Sequence, residues 1–256
     1  MGHILRHGFR WLIFKVGDTR WEGFRFFPFI IGWNPKKPLI RGSEILEAMK
    51  VVQPGDVLVL RHDGFASNVG IGGCFIHGAV YVGDGECIEA LSDDEGGVTN
   101  NSLVDILRAD LALILRPKLT AEERQACAKQ AWKIHGAKYD YLFNFNVEDE
   151  LRAIEKNPKI TKRLKICCTE AVLFAYLKHK EQLHLWTSTN DGLVTKILRF
   201  LGLMIGKSAL TSDAIALSEM EIVWASKSCT EQGLKARGAP EALVAKVKRF
   251  WKNLEA

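Results

Sequence analysis

Cys168 and His77 are the side chains whose chemistry stands out in this sequence. Cysteine attacks a carbonyl carbon as its thiolate, and a helix N-terminus favours that form through its partial positive charge and free N–H groups. Cys168 precedes an apolar run with helical spacing, which places it at or next to the first turn of a helix. An imidazole such as His77 can take the thiol proton, and a polar group such as Glu89 can fix which ring nitrogen faces the sulfur. These three residues predict nucleophilic catalysis by a cysteine.

A hairpin is predicted to carry His77 and Glu89. The run CFIHGAVYVG, the Gly-Asp-Gly turn at 83–85 and the run ECIEAL have the pattern of two strands joined by a tight turn. Alternation puts Ala79 on the face of His77 and Cys87 on the face of Glu89, and the strand register decides whether these faces coincide. The residues also fit ordinary roles, as a core histidine and a glutamate that faces water.

The elements around this hairpin include both helices and strands. SEILEAMKVV predicts a helix with Ser43 as its N-cap, followed by a turn at 53–56 and the strand VLVLR. Another strand is predicted at LALILRP, and a helix from Thr120 to about Gly136. Later segments predict a helix at LVTKILRFLGLMIG, a short helix at TSDAIALSE, a strand at EIVWAS and a terminal helix at PEALVAKVKRFWKNL. Together these patterns predict an α+β fold.

Four segments occur in an order typical of one enzyme family. They are PGDVLVLR (54–61), HGAVYVGDGECIEAL (77–91), KYDYLF (138–143) and CCTEAV (167–172). The chain thereby resembles the papain-like hydrolases of the NlpC type, in the circularly permuted branch that includes YiiX-like proteins and lecithin retinol acyltransferase. In that branch the histidine strand precedes the cysteine helix. The resemblance implies a permuted papain-like fold, with an antiparallel sheet packed against the helix that bears the nucleophile.

The resemblance assigns a role to each matching residue. His77 corresponds to the base, Glu89 to the orienting polar group, and Cys168, followed by Thr169 and Glu170, to the Cys-Ser-Glu that opens the family's helix. The similarity covers about residues 43–226. The chain departs from the family pattern in having threonine in place of serine at 169 and an inserted charged segment at 147–165.

A substrate-binding role is implied for Tyr139 and Asp140, which lie where the family often has a Tyr-Asp pair. A packed tyrosine beside a helix-capping aspartate is the structural alternative. The implied reaction is acyl transfer to water, and it needs no cofactor. Its expected substrate is a peptide or isopeptide amide, as in cell-wall peptidases, or else an acyl ester of a lipid.

Composition and charge restrict the class of protein. Hydrophobic residues make up 47% of the 256 positions and charged residues 25%, as in an ordinary globular protein. The net charge of +5 comes from Lys and Arg spread along the chain, so no nucleic-acid partner is expected. Without a signal peptide or a spanning segment, a soluble cytoplasmic or virion-associated protein is predicted. The expected parts are an N-terminal arm (1–42), the hydrolase domain (43–228) and a basic amphipathic C-terminal helix (229–256).

Three alternatives remain open from the sequence. A zinc site could use Cys74, His77 and Cys87 with Cys167 or Cys168, although the spacing is irregular. The fold could instead serve as a structural or binding module, for example in a phage particle, with the arm and the terminal helix as contacts. The apolar helix at 193–205 fits packing in the core, or else a place on a membrane surface, which would favour a lipid substrate.

Overall fold

The computed structural model describes residues 38–63, 73–92, 96–140, 147–185 and 210–255. Residues 1–37 of the predicted arm and the helix predicted at 193–205 lie outside these ranges. The strands are β1 (Val57–Arg61), β2 (His77–Gly83), β3 (Glu86–Ala90), β4 (Val98–Ser102), β5 (Leu111–Pro117), β6 (Lys138–Tyr139), β7 (Lys165–Ile166) and β8 (Met220–Ala225). The helices are α1 (Gly42–Val51), α2 (Leu103–Ile106), α3 (Ala121–Trp132), α4 (Val147–Lys156), α5 (Cys168–Ala175), α6 (Ser212–Leu217), α7 (Glu231–Lys235) and α8 (Glu241–Glu255). Short 3₁₀ turns follow α4 and α5 at Pro158–Arg163 and Leu177–His179.

Six strands form one antiparallel sheet in the order β4-β3-β2-β1-β5-β8. The hairpin predicted around residues 83–85 is its β2–β3 pair, and the strand predicted at EIVWAS lies at its edge as β8. The short strands β6 and β7 pair in parallel in a second sheet. The predicted α+β class with an antiparallel sheet is thus confirmed.

Two helix boundaries differ from those predicted, the start of α1 and the end of α3. Helix α1 starts at Gly42, with Arg41 rather than Ser43 as its N-cap, because the Glu44 carboxylate accepts the Arg41 N–H at 3.1 Å. Thr120, where this helix was predicted to begin, is the N-cap of α3 and forms a reciprocal capping box with Glu123. Helix α3 ends at Trp132 rather than near residue 136, since a turn occupies 133–136.

Both faces of the six-stranded sheet are covered, because successive side chains of its strands alternate between two buried clusters. On one face, Val57 and Val80 belong to the larger cluster, which also holds residues of α3, α5 and α8. On the other face, Leu58 and Ala79 belong to a smaller cluster with residues of α1 and α2. Within the described residues, no helix is long and apolar enough to cross a membrane.

The turn at Pro54–Asp56 ties β1 to three other parts of the fold. The Asp56 carboxylate is completely buried and accepts two hydrogen bonds from the Arg116 guanidinium, at 2.9 and 2.7 Å. The Gly55 carbonyl accepts the hydroxyl of Tyr176 at the end of α5, and the Gly55 N–H donates to the Tyr81 carbonyl at 2.8 Å. The Pro-Gly-Asp segment therefore fixes β1, β2, β5 and the cysteine helix relative to one another.

Candidate active site

Cys168 is the first residue of α5, where the predicted thiolate-stabilising setting requires it. The backbone N–H of Cys167, the N-cap, donates to the Glu170 carboxylate at 3.2 Å, which closes the first turn. Glu170 is completely buried, so this contact is shielded from water. The Cys-Cys-Thr-Glu segment therefore sets the helix start and places Cys168 in the first turn of α5.

A glycine lets α5 approach β2 closely. A Cβ atom at Gly78 would lie 3.3 Å from Cγ2 of Val172, tighter than an ordinary contact, and 3.9 Å from the Cys168 carbonyl oxygen. Backbone hydrogen bonds from Gly78 and Thr169 also contribute to lowering the pKa of the Cys168 thiol. The His-Gly pair that begins β2 thus supplies both an imidazole and the space for the cysteine helix.

The strand register brings His77 and Glu89 to the same face of the sheet. Ala79 pairs directly with Glu89, so His77, two residues earlier on β2, is the diagonal neighbour of Glu89. The Nε2 atom of His77 lies 2.5 Å from Oε2 of Glu89. This contact leaves Nδ1 as the ring nitrogen available to the Cys168 thiol, whose hydrogen bond contributes to raising the pKa of His77.

Charge in this group favours a thiolate–imidazolium pair. Burial would lower the pKa of His77, but hydrogen bonds and charge interactions with Cys168 and Glu89 outweigh burial and raise it to about 10. Burial would raise the pKa of the Cys168 thiol, but the hydrogen bond and charge of His77 bring it below its ordinary value. Burial would raise the pKa of Glu89, but the hydrogen bond and charge of His77, the hydrogen bond of Asn101 and the charge of His62 together lower it. The arrangement can therefore hold a nucleophilic sulfur anion near neutral pH.

Two residues that support the site were missed from the sequence. Nδ2 of Asn101, on β4, donates to Oε1 of Glu89 at 2.6 Å. The buried Asp213 of α6 accepts the backbone N–H groups of Cys74 and Phe75, at 2.8 and 2.7 Å, and so anchors the segment that leads into His77. An asparagine in a polar run and an aspartate at a helix start are both commonplace, so neither carried a signal in the sequence.

Tyr139 and Asp140 lie alongside the segment that leads into α5. The parallel pair of β6 and β7 places Tyr139 opposite Ile166, and the Asp140 N–H donates to the Ile166 carbonyl at 3.3 Å. Tyr139 is half-buried and packs on the larger core cluster, whereas Asp140 is completely buried. Their substrate-binding role stays a prediction.

The cysteines of the described residues are all unpaired and buried. The thiols of Cys74 and Cys87 have pKa values raised above the ordinary value, chiefly by burial. Across the described ranges, no group of three or more His, Cys, Asp or Glu side chains is arranged to hold a metal ion. The cysteines considered for a zinc site therefore do not converge with His77 into such a group.

Comparisons with known proteins found no family model, no curated protein and no solved structure that matches the chain.

Proposed function

We propose that this protein is a cysteine hydrolase with a permuted papain-like fold, and that Cys168, His77 and Glu89 are its catalytic triad. One observation carries the proposal. The Cys168 thiol at the start of α5 and the His77 imidazole shift each other's pKa through a hydrogen bond and through charge, and Nε2 of that ring lies 2.5 Å from the buried Glu89 carboxylate. Nucleophile, base and orienting group are thus in the contacts that such catalysis requires.

The first chemical step is attack of the Cys168 thiolate on a carbonyl carbon. A C–S bond forms, and the carbonyl oxygen takes up the negative charge. Backbone N–H groups at the start of α5 and the positive end of its dipole can stabilise that oxyanion. His77 then donates its proton to the leaving amine or alcohol as the scissile bond breaks, which yields a thioester.

Water completes the reaction. His77, now neutral, takes a proton from the attacking water, and the carboxylic acid product leaves as the C–S bond breaks. The Cys168 thiolate and the His77 imidazolium are thereby restored. Glu89 keeps the ring orientation through both steps and stabilises the imidazolium.

The proposed substrate is an amide, of a peptide or an isopeptide. The resemblance to the acyltransferase branch keeps a lipid ester as the alternative, and the helix at 193–205 that could favour it lies outside the described residues. A thioester intermediate forms from either class, so a set of p-nitrophenyl esters and fluorogenic peptide amides separates the two once the thiol is shown to be activated.

Thiol labelling tests the proposal without a known substrate. At pH 6 only about 0.3% of an ordinary thiol with a pKa of about 8.5 is ionised. We expect iodoacetamide to alkylate Cys168 at pH 6 on the order of 10²-fold faster than a free cysteine, as located by peptide mass spectrometry. The His77→Ala variant should lose this advantage, whereas His135→Ala, which removes an exposed histidine of the turn after α3, should keep it.

The opposite result would count against the triad. Slow labelling of Cys168 that is the same in wild type and His77→Ala would show that the imidazole does not ionise the thiol. The structural or binding module would then be the better assignment for this fold.

A further inference from the structure

The Glu89 carboxylate is held from two sides by residues of the neighbouring strands. His77 on β2 contacts Oε2, and Asn101 on β4 contacts Oε1. The β3–β4 register pairs Glu89 with Thr99 and Cys87 with Asn101, so Asn101 is a diagonal neighbour of Glu89, as His77 is. The two diagonals run in opposite directions along β3, because His77 lies toward the Leu91 end and Asn101 toward the Cys87 end.

The chemistry of this contact fixes the orientation of the asparagine amide. An ionised carboxylate only accepts hydrogen bonds, so Asn101 must present its NH₂ group to Glu89. The Glu89 residue is 5% exposed, which leaves little access for water to replace a lost donor. A carboxylate with one oxygen on an amide and the other on an imidazole has little freedom to rotate.

We propose that Asn101 is a positioning residue of the active site, which holds the Glu89 carboxylate in place and thereby keeps His77 aligned with Cys168. The inference rests on the proposed function, because it extends the same group of side chains by one member. Asn101 acts on the reaction only through Glu89 and His77. Its effect is therefore expected in the ionisation of the site.

The neighbouring asparagine supplies a matched control. Asn100 lies on the same strand, β4, next to Asn101. It pairs with Ile88, so its side chain lies on the other face of the sheet. Its Oδ1 atom is 3.2 Å from Nε2 of His135, in an exposed contact. The Asn101→Leu and Asn100→Leu variants thus make the same change on one strand, and only the first removes the donor to Glu89.

The first readout is the pH midpoint of iodoacetamide alkylation at Cys168. We expect Asn101→Leu to raise this midpoint by about one pH unit, which corresponds to about tenfold slower labelling at pH 6. Asn101→Gln, which keeps the amide donor, should retain most of the wild-type rate, and Asn100→Leu should keep the wild-type midpoint. Asn101→Val, with high strand propensity, is a second donor-free variant in case the leucine variant fails to fold.

The second readout is the NMR titration of the His77 ring in ¹⁵N-histidine-labelled protein, assigned by the signal lost in His77→Gln. A weaker hold on Glu89 should shift this titration to lower pH in Asn101→Leu and leave it unchanged in Asn100→Leu. Wild-type behaviour of the folded donor-free variants in both readouts would overturn the role of Asn101. An equal shift in Asn100→Leu would overturn it too.

The two readouts separate this inference from the proposed function. Fast, His77-dependent labelling with no effect of Asn101→Leu would support the hydrolase and remove the role of Asn101. If wild-type Cys168 labels like a free thiol, the hydrolase assignment fails. The His77 titration alone would then show whether Asn101 holds the Glu89–His77 pair.

Discussion

At the scale of single residues, the site depends on burial working against charge. For each of Cys168, His77 and Glu89, burial is the largest influence on the pKa and favours the neutral form. The hydrogen bonds and charges within the group act in the opposite direction and outweigh it. His77 therefore stays charged because both anions flank it, and each anion stays ionised chiefly because of His77, so removal of the histidine should be felt by both.

The Glu89→Gln variant tests this dependence by removing a charge at nearly constant size. The imidazolium of His77 exists below its pKa and is lost as the pH rises through that value. Because the Glu89 anion contributes to raising the pKa of His77 to about 10, we expect its loss to move the His77 NMR titration to lower pH, by about 1–3 units.

A glutamate on the same strand provides the control for this variant. Glu86 is three residues from Glu89 on β3, so its side chain lies on the opposite face of the sheet. Glu86→Gln should leave the His77 titration unchanged. A titration that stays near its wild-type position in Glu89→Gln would contradict the charge argument.

At the scale of secondary-structure elements, tight turns set how the strands meet α3 and α5. Gly55 has a φ of +84°, and a Cβ atom there would lie 2.4 Å from the Arg124 carbonyl oxygen of α3. Gly136 has nearly the same φ, +83°, but in the described part of the chain no atom beyond its immediate neighbours lies within 4 Å of where its Cβ would be. Substitutions at these two glycines therefore distinguish the cost of a left-handed backbone conformation from the cost of a steric clash.

Substitution of these glycines by alanine should give different losses of stability. Gly136→Ala introduces only a left-handed conformation, which costs about 1 kcal/mol. Gly55→Ala adds a clash with backbone, so we expect it to lower the free energy of unfolding by at least about 2 kcal/mol more, measured by urea denaturation. Equal losses in the two variants would mean that the Pro54–Asp56 turn can shift away from α3.

The sequence predicted some elements well because their patterns are local. The hairpin around residues 83–85 and the strand at 111–117 have apolar runs and turn residues, and Thr120 carries a capping box. Strand β4, with the sequence Val-Thr-Asn-Asn-Ser, was not predicted, because asparagine is depleted in strands and pairing with β3 alone defines this one. Asn101 could not be assigned to the site for the same reason, since its position depends on a register that periodicity does not encode.

The residues of the proposed triad could be selected from the sequence because the proposed chemistry restricts the residue types. A thiol before an apolar helix and a histidine in a hairpin are recognisable, and the order of the segments made the combination specific. The contact between them depends on how α5 approaches β2 at Gly78, which is a matter of tertiary packing. The boundaries predicted for the three parts of the chain stay a prediction.

At the scale of the whole molecule, the C-terminal helix shares the core that supports the cysteine. Leu243, Val244 and Val247 of α8 are at most 4% exposed and belong to the same buried cluster as Cys168. The Lys246 ammonium donates to the Ala216 and Ser218 carbonyls, at 2.8 and 2.9 Å, and so caps the end of α6. Helix α6 in turn carries Asp213, which anchors the segment before His77.

Two positions on α8 test how much stability this packing contributes. Val247→Ala removes two buried methyl groups and should lower the free energy of unfolding by about 2 kcal/mol, or the Tm by about 4–8 °C. Leu254→Ala, at a position that is 63% exposed, should change stability by less than about 0.5 kcal/mol. If calorimetry finds that Val247→Ala lowers the free energy of unfolding as little as Leu254→Ala does, α8 is not part of the cooperative unit.

The site is built from two separate stretches of chain. His77, Glu89 and Asn101 come from three consecutive strands, whereas Cys168 comes from a helix much later in the sequence. A chain in which β2, β3 and β4 are paired but α5 is not packed against them would carry a Cys168 thiol of ordinary acidity. The rate of Cys168 alkylation at mildly acidic pH would therefore report whether α5 is docked. It would detect partly folded molecules whose circular dichroism spectrum is the same as that of the native protein.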